Sequence, residues 1–498
     1  VTGRGAGGTG GEKEEEWGGF ENENEDENEN EGEGGKSGVA SGGGGTRGWA
    51  LNKRMSLKLD WKLLLSSERA GGSSSGASAG GRGKEERNPF EHDYDRVIFS
   101  APFRRLAGKT QVHPFAQLDH VHNRLTHTLE VASVGRSLAE EAARLVAARG
   151  EMPEGRGVVD FAFIVQAACL AHDLGNPPFG HAGEYATRAW AEEHLGKIFP
   201  DAQFTPELAS ALNDWRWFEG NAQSFRLVSR GDRNERDYFR FTHASLGAMV
   251  KYPWTADDAR TAAKKKHNVF AAEKAVFARM VDALGLRRAD GTVARHPLSF
   301  LSEAADDICY RISDFEDAAE MGILAEAEVR RIFTGIVGEQ ESGGAMRLSA
   351  LRAKTVGRLI RAAAEVFAGD YEAIMRGERE EDLKASFPAE LRDAMREIKE
   401  RYETIFGDRR KVAVELGAHS ILGRLLHAYA TAVRELSAEG YEATGFAHKR
   451  LLALAWDKAF IVENEKRGAA WWLGRVMDHV SGMTDAHATQ VAREISGV

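Results

Sequence analysis

The chain has little of what builds cross-linked or membrane-spanning proteins. Two cysteines, Cys169 and Cys309, stand among 498 residues, too few for a disulfide framework and in keeping with a reducing, cytoplasmic setting. No apolar run approaches the roughly 18–20 residues that cross a bilayer, so no membrane partner is expected. The first residues are Gly-rich and then acidic, without the apolar stretch of a signal peptide, and no secretory leader is expected. Excess positive charge is missing too: the formal balance is −10, which argues against whole-surface attraction to nucleic acid. A polyanionic substrate would have to be held by a local cluster of Lys and Arg. No fixed-period repeat appears, which sets solenoids aside.

The negative charge is unevenly spread. Residues 1–54 carry twelve acids, many in "EKEEE" and "ENENEDENENEGE", against six basic residues. With almost no aliphatic residues this segment cannot offset the entropy of ordering, and a disordered, acidic, Gly-rich tail is expected. The first methionine is Met55, where ordinary amphipathic sequence begins ("MSLKLDWKLLLSSERAG"). Met55 is therefore expected to be the native start, with 1–54 upstream or added sequence; a genuine acidic tail is the alternative. Residues 55–88 form an N-terminal arm and a Ser/Gly linker, "AGGSSSGASAGGRGKEER" at 70–87.

From Asn88 onward the spacing is helical. Leu125, Leu129, Ala132, Leu138, Ala142 and Leu145 give one apolar face to a helix over roughly 124–148. "VVDFAFIVQAACLAHDLG" predicts a buried helix ending at a turn, and Ala, Leu, Glu and Arg dominate 346–498. The folded part is expected to be all-α, with short strands at most.

The stretch "CLAHDLGNPPFGHAGE" (169–184) concentrates titratable groups around a turn. His172 and Asp173 are adjacent, so a regular helix would aim them about 100° apart; the helix end marked by Gly175 and Pro177 lets them approach a common target. His181 and Glu184 follow just past the turn. His127 lies near the start of the preceding helix, while Asp306 and Asp307 interrupt an otherwise buried helical pattern, where a carboxylate needs a partner or a metal. His127, His172, Asp173 and one of Asp306 or Asp307 would supply two imidazoles and two carboxylates. That mixed set suits Mn²⁺, Mg²⁺, Fe, Co²⁺ or Ni²⁺ and leaves positions for water and phosphate. A cysteine-rich structural zinc site is excluded by the cysteine count.

Seven ordered segments carry a resemblance: "RRLAGKTQVHP", "NRLTHTLEVASVGRSLA", "AHDLGNPPFGHAGE", "FEGNAQSFRL", "MVKYPW", "EAADDICYRISDFEDA" and "VSGMTDAHA". Over about residues 60–490 the chain resembles the bacterial deoxyguanosinetriphosphate triphosphohydrolases (dGTPases) of the HD superfamily of metal-dependent phosphohydrolases. The resemblance implies an HD-type catalytic core over 89–330 and a helical C-terminal region, 331–498, packed on it. It implies metal ligands at His127, His172, Asp173 and Asp306, the last four residues before a sugar-contacting Tyr310; Asp307 is the alternative. Mn or Mg is the implied ion, with Fe, Co or Ni as other options.

The resemblance also makes His181 the catalytic histidine and Glu184 its partner. Three residues apart, they can share a hydrogen bond that orients the ring for acid–base work. A carboxylate stabilised by a helix N-terminus is the plain alternative for Glu184. Phosphate contacts fall on Arg124, Asn221, Lys251, Tyr252 and Lys266, although "KKKHNVF" offers three lysines and a charge run is usually a solvated face. Tyr310 would stack beneath the deoxyribose, with Gln111 and Asp314 on the 3′-hydroxyl. Two departures from the family pattern, His113 and His243, bear on base specificity and leave the metal ligands untouched.

The implied reaction is hydrolysis of dGTP, or another dNTP, to the deoxynucleoside and inorganic triphosphate. A homo-oligomer is expected, hexamers being common in the family, and single-stranded DNA is a candidate effector. The alternatives are another HD phosphohydrolase, such as a nucleotidase or guanosine-tetraphosphate hydrolase, or a non-catalytic nucleotide- or DNA-binding protein on the same fold.

Overall fold

The computed structural model describes residues 57–70, 87–111, 122–201, 205–230, 239–338 and 346–497. The acidic tail, Met55 and its start assignment, most of the Ser/Gly linker and His113 lie outside them. Among the described residues the chain is all-α, and β pairing is limited to isolated bridges such as Thr110 with Asn123.

Local chemistry starts the helices where the sequence signals them. Asn88 caps α1 (Pro89–Ile98) by accepting the Phe90 N–H, with proline in the first turn. Asn123 caps α2 (Arg124–Ala148): its side chain accepts from Leu125 and Thr126 N–H, and the Thr126 hydroxyl accepts the Asn123 N–H in return. α3 (Val158–Ala171) opens with the Asp160 carboxylate accepting the Gly157 N–H at 2.7 Å. It is buried along nearly its whole length, between α1 and α2. Gly135 of α2 permits that closeness, since a Cβ there would lie 2.6 Å from Cys169 Sγ. The two cysteines, Cys169 and Cys309, are free thiols buried in this layer.

After α3 the chain turns through Gly175–Gly180 into α4 (His181–Ile198). Gly175 is pressed onto α5 (Gly220–Ser229): an added Cβ would lie 2.2 Å from the Ser224 nitrogen. α6 (His243–Met249) and the long α7 (Pro297–Glu320) pack on α3, and α7 also packs on α2. Beyond it come α8 (Leu348–Gly369), α9 (Ala389–Phe406), α10 (Arg409–Glu439), α11 (Ala469–Ser481) and α12 (Asp485–Glu494).

Two apolar cores result. The first gathers α1, α2, α3 and α7 with α8 and α9, including Phe161, Leu301, Leu359 and Ile398. The second sets α4 against α10, on which α11 and α12 pack in turn, around Trp190, Leu422, Tyr429, Trp472 and Val491. Phe179 belongs to this second core, so the turn between α3 and α4 carries the chain from one core to the other. Helices beyond residue 330 contribute to both.

Candidate active site

His127 sits in the first turn of α2, His172 closes α3, and Asp306 lies in the middle of α7. Packing of these three helices brings their side chains together. His127 Nε2 lies 3.1 Å and His172 Nε2 3.3 Å from Asp306 Oδ1, and the two rings meet edge-on with centroids 5.5 Å apart. The Cys169 carbonyl lies 2.6 Å from His172 Nδ1. A carbonyl can only accept, so Nδ1 carries a proton and Nε2 is the nitrogen that faces Asp306.

Asp173 stands at the edge of this group, its Oδ1 3.6 Å from His172 Nε2. Both its oxygens are engaged: Arg124 Nη1 donates to Oδ2 at 2.7 Å and Asn176 Nδ2 to Oδ1 at 2.5 Å. Lys251 Nζ donates to Asp306 Oδ2 at 3.0 Å. Asp307, about 100° further round α7, turns away to pair with Lys384.

The donor chemistry fits a divalent ion. One atom each from His127, His172 and Asp306 lies within 4.8 Å of the others. Two ligands at adjacent corners of an octahedral site with bonds of 2.0–2.1 Å stand about 3 Å apart, close to the separations from Asp306 to each imidazole. The set is two nitrogens and an oxygen with no thiolate, which suits Mn²⁺ and its neighbours. Electrostatics agree. Burial by itself would raise the Asp306 pKa, but Lys251 and His172 hold it well below the carboxylate range. Burial likewise opposes charge on His172, yet Asp173 and Asp306 raise its pKa to about 9. Acids this buried stay ionised only with cations beside them.

Past the turn, His181 is the first residue of α4 and half exposed, its Nδ1 2.9 Å from Glu184 Oε2. Glu184 is buried, and its other oxygen accepts the Gly220 N–H at 2.7 Å. Burial pushes its pKa up, but His181, Lys266 and Arg188 bring it well below the ordinary value. Gly220 must be glycine, because a Cβ would fall 1.9 Å from Asn176 Oδ1 and 2.8 Å from Glu184 Oε1.

The neighbouring cations are held by acids. Lys266 is buried, unlike the exposed Lys264 and Lys265, and its Nζ lies 3.0 Å from Glu219 Oε2. Burial disfavours its charge, but Glu219 and Glu184 raise its pKa. Asn221 Nδ2 donates to Glu219 Oε1 at 2.7 Å. Tyr252 is held through its N–H to Asn268 Oδ1 at 2.7 Å, its ring tilted against Trp254.

On α7, Tyr310 and Asp314 follow Asp306 at successive four-residue steps, one face of the helix. Tyr310 packs against Tyr402, ring centroids 5.8 Å apart. Asp314 is 1% exposed, and its Oδ2 has no hydrogen-bond partner among the described residues; burial and the nearby Asp317 raise its pKa well above the usual range. The Gln111 Oε1 is buried and likewise without a partner among the described residues. His243 lies apart, on α6, its N–H donating to the Glu68 carbonyl of the N-terminal arm.

Sequence reading passed over three residues. Glu219 organises Asn221, Lys266 and Arg188; its signal was an acid two residues ahead of Asn221 inside "FEGNAQ". Asn176 and Asp485 link the turn to its surroundings, with no spacing that would have revealed their partners.

The HD domain family matches residues 124–216, which hold His127, His172, Asp173, His181 and Glu184. An all-α protein with this His, His-Asp and Asp arrangement on packed helices is an HD-domain phosphohydrolase. The chain is 38% identical over 458 residues to a deoxyguanosinetriphosphate triphosphohydrolase-like protein of Pseudomonas aeruginosa, covering 88% of this chain and 99% of that one. It is 33% identical over 459 residues to a protein of the same description from Synechocystis, covering 88% and 100%. It is 32% identical over 395 residues to a deoxyguanosinetriphosphate triphosphohydrolase of Serratia proteamaculans, covering 68% and 76%. The chain belongs to the deoxyguanosinetriphosphate triphosphohydrolase family. Among the described residues, no helix is long and apolar enough to cross a membrane.

Proposed function

We propose that the protein hydrolyses deoxynucleoside triphosphates, dGTP first among them, to the deoxynucleoside and inorganic triphosphate. The observation that carries this is the convergence of His127, His172 and Asp306 on a common point, in a family whose named members include a dGTP triphosphohydrolase. In this reading His127, His172, Asp306 and Asp173 hold the divalent ion, Mn²⁺ or Mg²⁺ first. When bound, the ion supplies Lewis-acid polarisation of a phosphoryl oxygen and acidifies water.

The chain's own residues do the rest. A triphosphate brings about four negative charges, and Arg124, Lys251 and Lys266 answer them, Arg as a fork and Lys as a point charge. Asn221 and Tyr252 complete the phosphate contacts. Water adds to the α-phosphorus as the bond to the 5′-oxygen breaks, and the leaving oxygen needs a proton. The Glu184 carboxylate on Nδ1 orients the His181 ring, leaving Nε2 to carry that proton or to take one from the water. We assign residues 89–330 as the catalytic core and 331–498 as the region packed on it. The reading extends to a cytoplasmic homo-oligomer.

A turnover assay with Mn²⁺ and a panel of nucleotides tests this by the anion released. Inorganic triphosphate is expected; monophosphate or pyrophosphate would move the protein to another branch of HD phosphohydrolases.

Sugar selection gives a second test. With Tyr310 closing the 2′ side of the pocket, an extra hydroxyl meets an aromatic wall, and Gln111 and Asp314 take the 3′-hydroxyl. Tyr310→Ala is expected to narrow the preference for dGTP over GTP by about tenfold, in line with roughly 1–3 kcal/mol for one small group in a packed pocket. The loss should fall mainly on dGTP. Asp314→Asn should weaken both nucleotides alike. Steady-state kcat/KM for the two substrates checks this, and an unchanged ratio in Tyr310→Ala would move discrimination to Gln111.

A further inference from the structure

We propose that the C-terminal segment Ser481–Asp485 positions the His181–Glu184 pair, with Asp485 as the positioning residue that fixes the turn from which His181 projects. The proposal rests on the reading of His181 as the proton carrier.

Asp485 opens α12 and is 4% exposed. Its Oδ2 accepts from the Thr110 N–H at 3.0 Å and the Thr110 hydroxyl at 2.6 Å, while its Oδ1 accepts from the Phe179 N–H at 2.8 Å. A carboxylate can accept all three; few other side chains of this size can. The held residue is unusual. Phe179 has φ +65°, a left-handed conformation that bulky residues avoid and that persists only where its surroundings impose it. Gly180 follows at φ +59°, and His181 begins α4. Only one residue separates the held N–H from the proposed proton carrier.

A second grip closes on the other end of the turn. Lys109 is 2% exposed, and its Nζ donates to the carbonyls of Asn176 at 2.6 Å and Ser481 at 2.7 Å. The two segments meet as closely as glycine allows: a Cβ on Gly108 would lie 2.8 Å from Thr484 Cγ2. The stretch 481–485 thus holds the turn at Asn176 through Lys109 and at Phe179 through Asp485.

The geometry separates this role from metal binding. His127, His172, Asp306 and Asp173 are none of them hydrogen-bond partners of Asp485; Asp173 meets the turn at its other end, through Asn176. Among the described residues, the ring hydrogen bond of His181 runs to Glu184 on the same helix, so its aim follows the start of α4. Without Asp485 the Phe179 N–H loses its buried acceptor, and the strained turn is free to relax toward negative φ.

The test is a double-mutant cycle between Asp485→Asn and His181→Ala. The amide keeps the size of the carboxylate but presents an NH₂ group to N–H donors. Asp485→Asn is expected to lower kcat by about 10–100-fold, with KM for dGTP and calorimetric Mn²⁺ affinity held within about twofold. In the His181→Ala background it should cost nothing further. An equal loss in both backgrounds, or lost Mn²⁺ affinity, overturns the positioning role while leaving His181 as proton carrier. Full kcat in His181→Ala alone would instead overturn the reading beneath it. If Asp485→Asn does not fold by circular dichroism, Thr110→Val, which removes one of the three bonds, is read the same way. It should give a smaller fall in kcat that also vanishes in His181→Ala.

Discussion

His172→Ala is expected to abolish metal-dependent turnover while leaving the helical fold in place. The ring supplies one of three donors that meet within 4.8 Å, and its Nε2 is preset for the task by the Cys169 carbonyl on Nδ1. The remaining donors cannot close around the gap. Each is fixed by a different helix, and Asp173 is tied by Arg124 and Asn176. Losing even an outer partner of a metal ligand costs about 10–100-fold in affinity or activity, and losing a ligand costs more. Metal-stripped variant reconstituted with excess Mn²⁺ is the sample to assay, with circular dichroism for the fold. Full activity there would refute the metal assignment. Asp306→Ala should be equally inactive but less stable, because it also leaves the buried Lys251 ammonium without the carboxylate 3.0 Å away.

His181→Ala should lower kcat by about 10²–10⁴-fold, the usual worth of a proton-transferring group, with KM little changed. The side chain is half exposed and hydrogen-bonded to Glu184, so removing it opens no core cavity. Its effect belongs to the transition state, where a proton is in flight, rather than to substrate binding. Steady-state kinetics with dGTP read this directly, as a fall in kcat at near-constant KM. A raised KM with preserved kcat would make His181 a phosphate contact.

The helices that frame the site were legible because their cause is local. The apolar spacing from Leu125 to Leu145 predicts a helix over 124–148, and Arg124–Ala148 is helical. The run before His172 reads as buried, and α3 is. The cluster of His127, His172 and Asp306 was legible as residue types that have no place in an apolar core without a partner. Other features depend on partners distant in the chain. Lys266 separates from its neighbours because Lys265, at φ +51°, ends the short helix Ala259–Lys264, and the next residue turns into the interior. Asp307 differs from Asp306 only in which face of α7 it occupies. Asp485 lies more than 300 residues from Phe179, and only folding reveals that its carboxylate answers that backbone N–H. The two cores were hidden for the same reason, since α4 packs on α10, more than 200 residues further along the chain.

The buried thiols make the chain its own reporter of opening. Cys169 lies three residues before His172 on α3, and Cys309 three residues after Asp306 on α7, one 1% and the other 4% exposed. Burial pushes both thiols well above their ordinary pKa, so neither offers a thiolate to an alkylating reagent while these helices stay packed. Modification therefore waits for α3 or α7 to come away from the core, an event with its own free energy in native protein. A slow alkylation clock, with no label introduced, counts how often α3 and α7, which carry His172 and Asp306, come away from the core.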